Sequence, residues 1–134
     1  MLIEAIKRIY LQPPSKKPYN FTNNAKVDMN GQFKQPLIVD SMLRGKVKKG
    51  FFIEAGAFDG EDLSNTLLFE LRHQWTGLLV EPNRGAFKTM LGKNRRAWTL
   101  PNCFSTKTTP EIVEFDAAGL FGTALLFWSR LVNY

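Results

Sequence analysis

Apolar positions follow two different periods along this chain, and the change from one to the other divides it. Leu2, Ile3, Ile6, Ile9 and Tyr10 recur at helical spacing, which predicts a short amphipathic helix over 2–11 that stops before Pro13 and Pro14. The stretch "QPPSKKPYNFTNN" has the Pro, Ser and Asn content of a surface connection. "QPLIVDSMLRGK" then predicts a helix with Pro36 near its first turn and Gly45 at its end.

From Phe51 onward the pattern becomes regular. "FFIEA" at 51–55 is a candidate buried strand, and Glu61–Arg72 carries Leu63, Leu67, Leu68 and Leu71 on one helical face. "TGLLVE" at 76–81 is a second strand. Phe87, Met90 and Leu91 fall at helical spacing in a short helix that Gly92 weakens, and "AWTLPNCF" supplies a third strand with Pro101 near its end. Alternating strands and helices predict an α/β domain with parallel strands and right-handed crossovers. "EIVEF" at 111–115 alternates as a candidate fourth strand, after which the chain turns to an apolar tail. The divisions are 1–34 for the first helix and connection, 35–116 for the core, and 117–134 for the tail.

Composition narrows the chemistry. With 134 residues and 44% hydrophobic content, one folded domain is expected, large enough to bury roughly two-thirds of its unfolded surface. The net charge of +6 comes from 18 Lys and Arg against 12 Asp and Glu, scattered as "SKKP", "GKVKKG" and "GKNRR". Such scatter reads as solvated faces and loops, and no nucleic-acid partner is expected. The single Cys103 excludes an internal disulfide, and with the single His73 it leaves no zinc-type metal site and no ready Ser-His-Asp triad. Charges at Glu4, Lys7 and Arg8 exclude a signal-peptide start, and the apolar run from Ala117 to Ser129 is too short to span a bilayer. No transmembrane segment is expected, and on that reading the chain belongs in the cytoplasm.

The chemistry concentrates in "GFFIEAGAFDGED", Gly50–Asp62. In an open α/β sheet, ligands sit beyond the carboxyl ends of the strands, where Gly56–Gly60 falls. A dinucleotide fingerprint counted from Gly56 needs glycine where Phe58 and Glu61 stand. Glu54, Asp59, Glu61 and Asp62 would also repel a phosphate competing for the same amides. A cationic ligand reverses that argument. S-adenosylmethionine carries a sulfonium and an ammonium that suit these acids, and a carboxylate that suits backbone N–H groups. Glu54-Ala55-Gly56-Ala57-Phe58-Asp59-Gly60 reads E-x-G-x-x-x-G, the spacing of the first motif of class I methyltransferases. Glu81, at the end of the second strand, is placed to accept hydrogen bonds from ribose hydroxyls. The alternative is a tight turn with a helix cap at Asp59 or Gly60 and solvated acids.

A longer likeness runs through "GFFIEAGAFDGEDLSNTLLFE", "WTGLLVEPN", Phe87 and "NRRAWTLPNCFSTKTTPEIVEFDAAGL". These segments resemble the FkbM-type methyltransferase domain in its arthropod, Star-like form, and "LQPPSKKPYNFT" and "GQFKQPLIVDSML" resemble the stretch that precedes it there. The resemblance implies a Rossmann-like class I S-adenosylmethionine-dependent methyltransferase fold. It also implies S-adenosylmethionine as cofactor, with Glu54, Gly56, Ala57, Asp59 and Gly60 at the methionine end and Glu81 at the ribose. By position, Asn102 or Cys103, near the end of the third strand, borders the adenine or simply packs at the sheet edge. FkbM-type domains continue into further strands facing the methyl acceptor, whereas here the chain turns to "FGTALLFWSRLVNY", so about half of that sheet is expected.

The partner is accordingly either an unidentified methyl acceptor or, if the chain is a non-catalytic Star-like module, a client protein in endoplasmic reticulum to Golgi trafficking. The Star-like reading would place it on endomembranes. The third alternative is an inactive fragment. A half sheet also predicts self-association through its exposed edge. Of the remaining residues, His73 reads as a group at the end of the first crossover helix, Cys103 as a small buried hydrophobe, and Trp75 and Trp98 as core or rim aromatics. Phe58 either covers a bound adenosine or plugs the top of the sheet.

Overall fold

A computed structural model describes residues 10–44, 46–105, 107–108 and, for the backbone alone, 114–116 and 123–125. The centre is a parallel sheet of three strands in the order β1 (Phe51–Ala55), β2 (Thr76–Val80), β3 (Trp98–Leu100). Phe51 pairs with Thr76 and Ala55 with Val80, and Leu78 pairs with Trp98, so all three carboxyl ends lie on one rim. The helices are α1 (Gln35–Leu43), α2 (Leu67–His73) and α3 (Arg84–Gly92), with a single 3-10 turn at Gln32–Lys34 before α1.

Successive strands step across the sheet in one direction, so right-handed crossovers put α2 and α3 on the same face. Burial agrees. Phe52 and Leu79 on that face pack with Ala57, Met90 and Ala97, flanked by Trp75 and Phe87. Gly77 lets the Phe52 ring lie directly on β2, because a Cβ there would run into it. The opposite face carries Phe51, Ile53 and Trp98, and Ile53 is 59% exposed. Val80 on this same face is nevertheless only 2% exposed, so the face is bare at Ile53 and covered at the carboxyl end of β2.

Several boundaries differ from the sequence pattern for local reasons. The helix expected over Glu61–Arg72 begins only at Leu67. Leu63 adopts φ 55° and is exposed, while the Asn65 N–H and the Ser64 and Thr66 hydroxyls bond to Glu54 rather than forming a first helical turn. Short polar side chains compete with helix in this way. The helix expected over "QPLIVDSMLRGK" stops at Leu43, where Arg44 takes a left-handed conformation. Pro101 directly follows β3, as its missing N–H requires.

The candidate fourth strand does not join the sheet. β4 (Glu114–Asp116) pairs antiparallel with β5 (Thr123–Leu125) in a separate two-stranded ribbon. Residues 2–9 of the helix expected over 2–11 and most of the apolar tail lie outside the described residues, and Tyr10 is helical. No described helix is long and apolar enough to cross a membrane.

The Pro-rich connection is strapped to the domain. Gln12 exchanges two backbone hydrogen bonds with Thr99 along the outer edge of β3. The Ser15 N–H donates to the Arg95 carbonyl, and the Asn20 N–H to that of Lys93. Phe21 is buried and stacks on Tyr19, whose ring also carries the Arg96 guanidinium at 4.6 Å.

Candidate cofactor site

β1 ends in a loop whose shape is set by three residues of positive φ: Gly56 at 71°, Phe58 at 48° and Gly60 at 76°. Glycine takes that conformation freely, whereas Phe58 takes it at a cost of order 1 kcal/mol. The Val80 carbonyl accepts from both the Gly56 and Ala57 N–H groups, which turns the chain over the end of β2. Ala57 is buried in the core and anchors the loop. A side chain on Gly56 would meet no atom within 4 Å, so the space above it is open. One on Gly60 would come within 2.7 Å of Met90 Cγ, so Gly60 is required by α3 beneath it.

Glu81 couples this loop to the next helix. It is only 5% exposed, and its Oε2 accepts from the Phe58 N–H and its Oε1 from the Asn83 N–H, both at 2.7 Å. Asn83 in turn caps α3 by accepting from the Gly85 and Ala86 N–H groups. Each Glu81 oxygen retains acceptor capacity after these bonds. From β3, Asn102 is exposed and Cys103 half-buried. Burial first, then the Glu81 charge, pushes the Cys103 thiol up, which makes it a poor nucleophile.

The other acids turn inward. Glu54 accepts from the Asn65 N–H at 2.7 Å, from the Ser64 hydroxyl at 2.9 Å and from the Thr66 hydroxyl at 2.5 Å, tying the far half of the loop to β1. Asp59 Oδ1 accepts from the Glu61 and Asp62 N–H groups, a local turn-closing role. Glu61 binds Lys93 Nζ at 2.5 Å and accepts from the Thr22 N–H and hydroxyl. Desolvation raises the Glu61 pKa, but its hydrogen bonds from Lys93 and Thr22 together outweigh that and hold it below the ordinary value. Of the predicted site residues, Gly56 and Asn102 thus lie exposed at the strand ends and Glu81 lies buried there, while Glu54, Ala57, Asp59 and Gly60 build the loop. Its amides are also largely used, because Gly60 N–H donates to Ala57 and those of Glu61 and Asp62 to Asp59. The loop therefore offers no row of free donors to wrap a phosphate, and the amides expected to meet a ligand carboxylate are turned to the chain itself.

No protein-family model, curated protein or solved structure matches this chain.

The residues that hold the site from below were not singled out by the sequence pattern. Arg95, read as part of a solvated basic run, is 2% exposed and pairs with the buried Glu70 at 2.8 Å. Its guanidinium also donates to the Gly60 carbonyl and to the hydroxyls of Ser64 and Thr66. One buried cation thus ties the glycine loop, the Glu54 cluster and α2 together. The available signal was Glu70 beside Leu67 on an apolar helix face, with an arginine just ahead of an apolar strand. His73 ends α2, as expected, and its ring is held from both sides. Its Nε2 contacts Asp40 at 2.7 Å and its Nδ1 contacts Lys48 Nζ at 3.1 Å. An ammonium only donates, so Nδ1 accepts and Nε2–H donates to Asp40.

Proposed function

We propose that this chain is an S-adenosylmethionine-binding domain of the FkbM methyltransferase type, with the cofactor lying across the carboxyl ends of β1 and β2. The observation that carries the reading is the pairing of open space above Gly56 with a buried carboxylate, Glu81, at the end of the adjacent strand. A bound nucleoside would set its ribose hydroxyls on the remaining acceptor capacity of Glu81, with the exposed Asn102 beside its base. The cofactor would supply a methyl group on a sulfonium to an oxygen of an acceptor. The chain's own part is to hold the nucleoside and keep the loop in one shape, so that attack is in line.

The test is calorimetric titration of the folded chain with S-adenosylmethionine. Heat of binding is expected, and Glu81→Gln, which keeps only one carbonyl acceptor, should weaken it by about ten-fold or more. Unchanged affinity in that variant would remove Glu81 from the site.

A second reading has its own support. Glu54, Asp59 and Glu81 all have partners within the chain, and a loop satisfied without ligand suits a Star-like binding module that keeps the fold without the chemistry. Absence of heat from a folded sample would favour this alternative.

A further inference from the structure

A second surface lies on α1, apart from the loop and independent of any cofactor. The inward side of this helix carries Pro36, Leu37, Asp40 and Leu43. Its outward side carries Ile38, Val39 and Met42, all exposed, and Met42 is 74% exposed. Helical geometry places these three on one stripe. Just before the helix, Phe33 is 90% exposed and held at φ 48°, followed by Lys34 at φ 60°. An aromatic ring held in water by a left-handed backbone is costly twice over, and no contact among the described residues repays it.

The charge around this apolar strip has one sign. Lys34 precedes α1, and Arg44, Lys46, Lys48 and Lys49 follow it, all exposed. Asp40 is the only acid between Met29 and Ile53, and it already accepts from His73. Lys34, Arg44, Lys46 and Lys49 make no ion pair among the described residues. An apolar strip bordered by unpaired cations is complementary to the surface of an anionic bilayer, where rings and aliphatic chains enter the acyl boundary and ammonium groups stay among the headgroups.

We infer that the Phe33–Lys49 surface docks this protein peripherally on anionic phospholipid membranes. Phe33, Ile38 and Met42 insert, and Lys34, Arg44, Lys46 and Lys49 engage the headgroups. The contact holds the domain at the surface without crossing the bilayer.

Sedimentation of the full chain with vesicles tests this. Phosphatidylcholine vesicles with about 30% phosphatidylserine should carry the protein down, pure phosphatidylcholine should not, and raised salt should reverse the binding. Phe33→Ser/Met42→Ser and Lys46→Glu/Lys49→Glu should each reduce binding about ten-fold while leaving thermal melting unchanged, since all four side chains are exposed. The inference is overturned if the folded chain stays in solution with both vesicle types. It is equally overturned if it sediments with both alike, or if the two double variants bind as well as the parent. A change of oligomeric state in the variants with vesicle binding intact would reassign the strip to a protein–protein contact.

Discussion

Replacing Arg95 by Met would leave the buried Glu70 carboxylate with the Arg96 N–H but without its countercharge, and the Gly60 carbonyl without its guanidinium donor. Both members of the pair are about 1% exposed, so solvent cannot substitute. Removing one partner of such a pair costs about 3–5 kcal/mol. Urea unfolding of Arg95→Met should show a loss of that order, and a loss near zero would mean the network does not hold the loop. The arginine was easy to pass over in the sequence because it sits in the basic run "GKNRR", and its partner lies 25 residues away in the chain. Glu54, Gly56 and Glu81 were legible because strand ends and glycine spacing are local signals. What the spacing could not say is which way each carboxylate points.

At the scale of elements, β1, β2 and β3 followed directly from short apolar runs bounded by turn residues, and α3 from its helical period. α2 did not begin where the leucines suggested, because Ser64 and Thr66 spend their hydroxyls on Glu54 and Asn65 its N–H. The N-terminal connection is likewise held by hydrogen bonds that no period announces. Glu61 joins that strap to α3 through Thr22 and Lys93. Because its pKa is lowered on folding, it adds stability above pH 4.5, the ordinary value, and that stability is lost as pH falls through the lowered value. Unfolding measured at pH 7 and at pH 3 should therefore show a larger drop for the parent than for Glu61→Gln. An equal drop in both would show that the strap is not closed by this carboxylate.

Across the whole molecule, the sheet packs Phe52 and Leu79 against Met90 and Phe87 of α3 on one face and leaves Phe51, Ile53 and Trp98 exposed on the other. An α/β domain with three parallel strands is what the alternating pattern predicted, and the ribbon of β4 and β5 is what it did not, since alternation within a short strand says nothing about its partner. The rim of strand ends gathers Gly56, Glu81 and Asn102 from three separate segments, and the proposed function rests on that gathering. Titration of an isotope-labelled chain with S-adenosylmethionine, followed amide by amide in NMR spectra, tests it most directly. The account predicts saturable shifts concentrated at Gly56, Phe58, Glu81, Asn83 and Asn102. A folded chain whose spectrum is unchanged at saturating cofactor, or whose shifts fall away from the carboxyl ends of β1 to β3, would contradict it.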